Sequence, residues 1–406
     1  MNYNKQKELI NSLKDISIYG IYEETAHKRQ SCRTFGFGET AINFLGDNNI
    51  KKFENIRREL LNFKYLHRDI TIESFEKRLM SLLSELWVEG RFCSDHDVDE
   101  LYSYFLDLKR QDYEILVPLY GVECDHDVYE LGQFKVYKKS YIENEKAKND
   151  DPRRSQFHLN SIDSDYMVGL QVKARSQEKA VETAFEYFGV FENVLKYCVG
   201  DIKQQRCPGI FSYRGSKNIN SLSITSDGLG FSGRTLDISL PVNLNDKLCK
   251  NIEFGTYYLW DLITDHNKGE LKQRILRAVE WTGKANYEKN NLEAIVKYVF
   301  AIEGLLQLNS KDFITSSIVS QISEWLAFIM SEELEARKDI VKYFKDIYRK
   351  RSAVAHGGSV EVTKGDLHIA NYLIKITIHI LLTDKDFVDM NTVEDLRKYI
   401  DDVKFK

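Results

Sequence analysis

Two amphipathic stretches near the C-terminus each carry one charged residue on the side that must be buried, and this most narrows how the chain can fold. From Val341 to Ala355, the residues Phe344, Ile347, Tyr348, Arg351, Val354 and Ala355 recur at helical spacing and fall on one stripe. From Leu292 to Leu308, the stripe of Leu292, Ile295, Val296, Val299, Ile302 and Leu306 also includes Glu303. Burying an unpaired guanidinium or carboxylate is costly, so each needs a partner beside it. Arg351 and Glu303 are natural partners, which predicts that the two helices pack against each other. The plainer alternative for Glu303 is a bond to backbone or to a tyrosine elsewhere in a bundle.

Arg351 belongs to the run Tyr348-Arg-Lys-Arg-Ser-Ala-Val-Ala-His-Gly-Gly358. Arginine offers a fixed fork of donors to a phosphoryl group, and histidine exchanges a proton near neutral pH. Gly357 and Gly358 are natural helix terminators, so the helix is predicted to end at His356. A histidine there has its cationic form favoured by the helix dipole. Lys342, Lys345, Arg349 and Lys350 lie on the face opposite the stripe. If the helical phase continues, His356 projects near Lys345 and Arg349 rather than beside Arg351. The same Arg–His interval occurs at Arg91/His96 and at Arg153/His158, so spacing alone decides nothing. Those two copies lie in acidic or polar surroundings without a helical stripe or a glycine stop. The plain reading of Arg351 is a structural ion pair, and that of His356 a cap.

The chain has 406 residues, enough for two or three domains, with 43% hydrophobic and 29% charged residues as in ordinary globular proteins. Its net charge of −5 argues against a broad electrostatic grip on nucleic acid, so an RNA contact would be local, on the Lys342–Arg351 face. The N-terminus is too polar for a secretory signal, and the apolar run from Ile374 to Leu382 is too short to span a bilayer. Cysteines 32, 93, 124, 198, 207 and 249 show no metal-type pairing in spacing, which suits reduced thiols and a cytoplasmic protein.

These patterns predict an α+β multidomain chain. Residues 1–110 read as mainly helical, with Phe75, Leu79, Leu82, Leu83 and Leu86 on one face of a helix from Ile72 to Trp87, and a second helix capped by Asp97. Residues 111–250 read as mixed, with strands at 113–122, 132–137 and 168–174 and a helix from Gln177 to Tyr197. Residues 251–406 read as all-helical. Gly228-Leu-Gly230-Phe-Ser-Gly233 matches the dinucleotide pattern, but the sequence after it alternates like a strand, so a hairpin is expected. The groups Cys93/Asp95/His96/Asp97 and Cys124/Asp125/His126/Asp127 lack zinc-type spacing and read as solvated turns. No metal site is expected. His368 and His379 could share a face of the last helix, where satisfied structural histidines are the better reading.

From about Glu270 to Leu382 the chain resembles the HEPN superfamily, and within it the ApeA-like branch found in bacterial anti-phage proteins. The resemblance rests on Arg277-Ala-Val-Glu-Trp281, on the helix containing Ala301-Ile-Glu303, and on Tyr348 to Gly358 followed by the apolar helix Leu367 to Leu382. It implies a small helical bundle whose Arg351 and His356 form half of a ribonuclease site completed by a second copy. Glu303, Ser352 and Tyr348 would support that site, and Lys345, Arg349 and Lys350 would contact RNA. The implied protein is a homodimeric, metal-independent endoribonuclease with no cofactor, acting in defence or as a toxin. Residues 1–250 would sense a trigger or position a substrate, and whether that substrate is tRNA, mRNA or rRNA stays open. The alternative is a non-catalytic module of the same type that binds a nucleotide or a partner protein.

Overall fold

Short local signals set the first elements. Helix α1 (Asn4–Asp15) is followed by strands β1 (Ile18–Ile21), β2 (Cys32–Phe37) and β3 (Thr40–Leu45), then by helices α2 (Asp47–Asn62), α3 (Ile72–Val88) and α4 (Asp95–Leu106). The strands form an antiparallel sheet in the order β1-β3-β2, and β2 turns into β3 through Gly38, whose φ of +64° suits a tight hairpin. The region is mainly helical, as expected, and this small sheet is the part that the sequence reading did not include. Its strands are four to six residues long, and runs that short cannot be told from helix by periodicity. Central β3 buries Ala41, Ile42 and Phe44 completely.

Helix α3 appears where predicted, and Phe75, Leu79, Leu82, Leu83 and Leu86 are all buried. Its N-cap Thr71 accepts a bond from the Ser74 N–H at 3.1 Å. On α4 the cap is Ser94 rather than Asp97. The Ser94 N–H donates to the Asp97 carboxylate at 2.7 Å, and the Asp97 N–H donates back to Ser94 Oγ at 3.4 Å. Asp97 is thus the third residue of a capping box and not the cap itself. The Asp97 carboxylate also accepts from both ends of the Arg91 guanidinium, at 2.6 and 2.9 Å. Cys93 and Asp97 are buried while Asp95 and His96 are exposed, so this group is a helix start that is half packed and half solvated, where a solvated turn was expected.

The structure is a computed structural model that describes residues 3–21, 31–146, 160, 162–200, 206–213, 217–225, 228–236, 240–308 and 318–404. The chain divides into two compact units, Met1–Ile115 with Gln171–Ala184, and Leu116–Leu170 with Phe185–Lys406. Within the first unit the returning segment is tied in by Arg175, which donates to the Leu106 carbonyl at 2.7 Å and to Asp69 at 3.1 Å.

The middle of the chain supplies β4 (Gln111–Leu119), β5 (Val122–Glu123), β6 (Val128–Leu131), β7 (Phe134–Lys138) and β8 (Tyr166–Ala174), followed by helix α5 (Gln177–Val199). Strands β4, β7 and β8 overlap the three predicted strand segments, although β4 stops at Leu119 and β7 starts at Phe134, and the sheet order is β4-β8-β7-β6. Strands β9 (Lys217–Thr225) and β10 (Gly228–Leu236) pair antiparallel along their full length. Gly228, Gly230 and Gly233 therefore lie on a hairpin strand with no helix after them, as their alternating context indicated. A short β11 (Val242–Asn243) pairs with β5.

In the second unit, Phe134 of β7 meets Phe191 of α5 with ring centroids 4.9 Å apart, and Phe191 meets Trp260 at 5.3 Å. Trp260 lies on α6 (Thr256–Thr264), which opens the all-helical part. After it come α7 (Glu270–Asn286), α8 (Asn291–Leu306), α9 (Ile318–Met330), α10 (Leu334–Ala355), α11 (Lys364–Thr383) and α12 (Val393–Lys404). Helix α8 is the axis of this bundle. It packs on α7, α10 and α11 and buries Ile295, Val299, Ile302 and Leu306. Leu292, the first residue of the predicted stripe, is instead 37% exposed where the helix emerges from the bundle. Helix α11 is not the last, since α12 follows and packs Tyr399 on Phe387 at 4.8 Å. Helix α10 begins at Leu334, earlier than predicted, because its first two turns are exposed and carry no apolar stripe to read. Among the described residues no helix is long and apolar enough to cross a membrane.

The capping box on α4 yields a stability prediction. Burial alone would raise the Asp97 carboxyl, but the Arg91 and Ser94 donors outweigh it and hold it at about 2, below its ordinary 3.8. A depressed carboxylate contributes stability that is complete above pH 3.8 and is lost as the pH falls towards 2. Asp97→Asn should lower unfolding stability by about 1–3 kcal/mol at pH 7, and the difference from wild type should shrink through that acid window. Urea titrations at neutral pH and between pH 4 and pH 2 measure both effects.

Candidate functional site

The motif helix α10 ends as its glycines dictate. His356 is its C-cap, just past Ala355, with an N–H bonded to the Ser352 carbonyl at 3.1 Å. Gly357, at φ +72°, sends its N–H to Val354 at 3.2 Å, and Gly358 sends its own to Ala353 at 2.8 Å. This pair of bonds is a Schellman cap, which only a residue at ease with positive φ can complete. His356 is left exposed at the negative end of the helix dipole.

A shallow groove of about 470 Å³ opens beside it, lined by Lys345, Tyr348, Arg349, Ser352 and His356. Lys345 and Arg349 are exposed, and Arg349 is 3.4 Å from Asp346 along the same helix. The groove brings His356 together with these cations, as the helical phase predicted. Lys350 is not among them. Its ammonium lies 2.5 Å from Asp366, the residue that forms the capping box of α11 with Thr363, and so ties the two helices together.

Arg351 faces the other way. Its Nη2 donates to Glu303 Oε2 at 3.3 Å, joining α10 to α8 as the two misplaced charges implied. The guanidinium also lies over the rings of Phe300 at 5.3 Å and Tyr348 at 5.5 Å. Its side chain is 21% exposed and that of Glu303 14%, so the pair is neither solvated nor sealed. Arg351 Nε is buried with no hydrogen-bond partner among the described residues. Burial raises the Tyr348 hydroxyl above its ordinary value, and the charge and hydrogen bond of Glu303 raise it further. Tyr348 thus borders both the groove and the ion pair.

Sequence reasoning missed the aromatic half of this clamp. Phe300 precedes Glu303 by one turn of α8 and meets Trp281 of α7 edge-on at 5.7 Å. Both rings are more than one third exposed, at 38% and 37%. The detectable signal was an aromatic three residues before the buried-stripe carboxylate, off the apolar stripe itself.

The other two Arg–His pairs separate from this one. Arg91 is bound to Asp97 and Glu89, and His96 is exposed on α4. Arg153 and His158 lie outside the described residues. Among the described residues no cluster of three His, Cys, Asp or Glu side chains is placed to hold a metal. Comparisons with protein-family models, with curated proteins and with solved structures found no match.

Glu303→Gln removes the charge that answers Arg351 while keeping the shape. It should cost about 1–3 kcal/mol of stability, below the roughly 3–5 kcal/mol of a fully buried pair because both side chains are partly exposed. Denaturant unfolding of the variant against Arg351→Met and the double variant gives the coupling directly; strict additivity would mean that the two side chains do not interact.

Proposed function

We propose that residues 251–406 act as a metal-independent endoribonuclease of the HEPN type within a cytoplasmic defence or toxin protein. The observation that carries this reading is His356, exposed at a helix C-terminus in a groove it shares with Lys345 and Arg349. Such a groove suits a phosphodiester, and the likeness of Glu270–Leu382 to HEPN ribonucleases supplies the reaction class.

In the proposed reaction the 2′-hydroxyl of RNA attacks the adjacent phosphorus. A histidine takes the hydroxyl proton, the phosphorus–5′-oxygen bond breaks, and a second histidine protonates the departing oxygen. The products carry a 2′,3′-cyclic phosphate and a 5′-hydroxyl. Arg351 stabilises the charge that builds on the phosphoryl oxygens. Five residues of helix set Arg351 and His356 about 140° apart, so one chain does not present both to one phosphate. A two-fold dimer, with the α10 ends facing, would supply two arginines and two histidines to a shared cleft. Lys345 and Arg349 would hold the flanking RNA backbone, Ser352 and Tyr348 would line the cleft, and residues 1–250 would carry the sensing or substrate-positioning role.

One observation favours the second reading, a non-catalytic module binding a nucleotide or a partner protein. Arg351 is already answered by Glu303, as a purely structural arginine would be.

The full-length protein incubated with total RNA and with tRNA separates the two readings. Cleavage is expected to persist in excess EDTA and to leave 2′,3′-cyclic phosphate ends. His356→Ala should reduce the rate by about 10²–10⁴-fold, the usual contribution of a general acid or base, with a melting temperature close to wild type. Arg351→Ala should abolish cleavage and also lower the melting temperature. His356→Ala cutting at the wild-type rate would end the assignment, and a light-scattering monomer that still cuts would end the dimer.

A further inference from the structure

Helix α11 has a second face that no part of the proposed nuclease uses. Leu367, Ala370, Leu373, Ile374, Ile378 and Leu381 are buried against the bundle. On the other side His368, Asn371, Tyr372, Lys375 and His379 repeat at helical spacing and line a cavity of about 600 Å³. Its far wall comes from the end of α5, at Tyr197 and Cys198, and from Lys247 to Thr256. The volume is that of a small-molecule site. The lining carries two lysines and two histidines, and no carboxylate.

Two groups in this cavity have unfilled needs. Lys375 reaches across to the end of α5, where its ammonium lies 4.9 Å above the Tyr197 ring and fills the space that a Cβ on Gly200 would take. Among the described residues no acid pairs with it. Burial lowers its ammonium below the ordinary lysine value, and the neighbouring Cys198 works in the opposite direction. Asn371 Oδ1 is buried without a hydrogen-bond donor among the described residues. A partly buried cation without an anion and a buried acceptor without a donor are both costly when left alone. One ligand answers both if it carries negative charge and an O–H or N–H. A phosphoryl group bearing one proton has both, oxygens that accept from ammonium groups and a hydroxyl that can donate to an amide oxygen. Phe254, 62% exposed and tilted on His379 at 6.2 Å, and Tyr372 at 59% then offer open aromatic surface to the body of the ligand.

We propose that this cavity is a binding site for a small phosphate monoester, held by Lys375, Lys247 and Asn371 and covered by Phe254 and Tyr372. The proposal is independent of RNA cleavage. The residues involved touch neither the His356 groove nor the Arg351–Glu303 pair.

Calorimetric titration of the full-length protein with inorganic phosphate, phenyl phosphate and phenol tests it. Saturable binding of phenyl phosphate at millimolar or lower concentration is expected, with inorganic phosphate weaker and phenol silent. Lys375→Met should weaken phenyl phosphate at least tenfold. Because a core variant can fail to fold, Lys247→Met, an exposed position, is measured beside it and should weaken binding severalfold with an unchanged melting temperature. Absence of saturable binding by either phosphate, or affinities that neither substitution changes, overturns the proposal. Phenol binding as tightly as phenyl phosphate overturns it as well, since the cavity would then be an apolar pocket indifferent to charge.

Discussion

A guanidinium on the inner stripe of a helix has to be answered by the neighbouring helix, and the contact between α10 and α8 meets that requirement. Arg351 brings α10 to α8 through Glu303 and is flanked by the rings of Phe300 and Tyr348. The apolar core on either side, with Phe344 and Ile347 on one helix and Val299 and Ile302 on the other, supplies most of the burial. The ion pair adds register. Sliding α10 by one residue would turn Arg351 away from Glu303 by about 100° and leave both charges short of partners. A second polar anchor inside the same unit has a similar character. Glu192, buried on α5, accepts from the Ile210 and Phe211 N–H groups at 2.9 and 2.7 Å and pairs with Lys196. Burial pushes Glu192 up, yet Lys196 and these donors bring it below the ordinary carboxylate range.

Much of this was legible in the sequence because periodicity and glycine placement are local properties. The face of α3, the strands at 111–119, 134–138 and 166–174, the hairpin around Gly228 to Gly233 and the stop at Gly357 all follow from residues read in order. The meeting of Arg351 with Glu303, which are 48 positions apart, was legible for another reason: two opposite charges stood on stripes where charge is costly. What sequence did not disclose depends on partners that periodicity cannot name. The β1-β3-β2 sheet is made of strands too short to announce themselves. Lys350 reads as one more surface cation until Asp366 is seen at its tip. His368 and His379 read as structural histidines until α5 and the Lys247–Thr256 segment close a cavity over them.

Helix α11 shows how one element can serve two surfaces without conflict. Its first turn fixes Lys350 of α10 through Asp366, its apolar face packs into the bundle, and its polar face lines the cavity around Lys375. The capping box of Thr363 and Asp366 is therefore more than a local stop. Asp366 accepts from the Thr363 backbone at 2.8 Å and also holds Lys350, so the start of α11 and the last turns of α10 share one carboxylate. A change at Thr363 or Asp366 reaches the end of the motif helix without touching Arg351 or His356.

The first unit is not continuous in the chain: it takes in residues 1–115 and then 171–184. Its closing piece includes Arg175, which ties to Asp69 and to the Leu106 carbonyl. During synthesis the first 115 residues therefore emerge before the segment that completes their fold, and at about 5–20 residues per second that interval lasts seconds. Chain order also limits how the protein can be cut into pieces. A fragment ending at residue 115 would lack the strand and helix start that return at 171–184, and one beginning there would carry them without their partners. Any dissection that respects this topology has to keep residues 1–184 together, including the intervening strands.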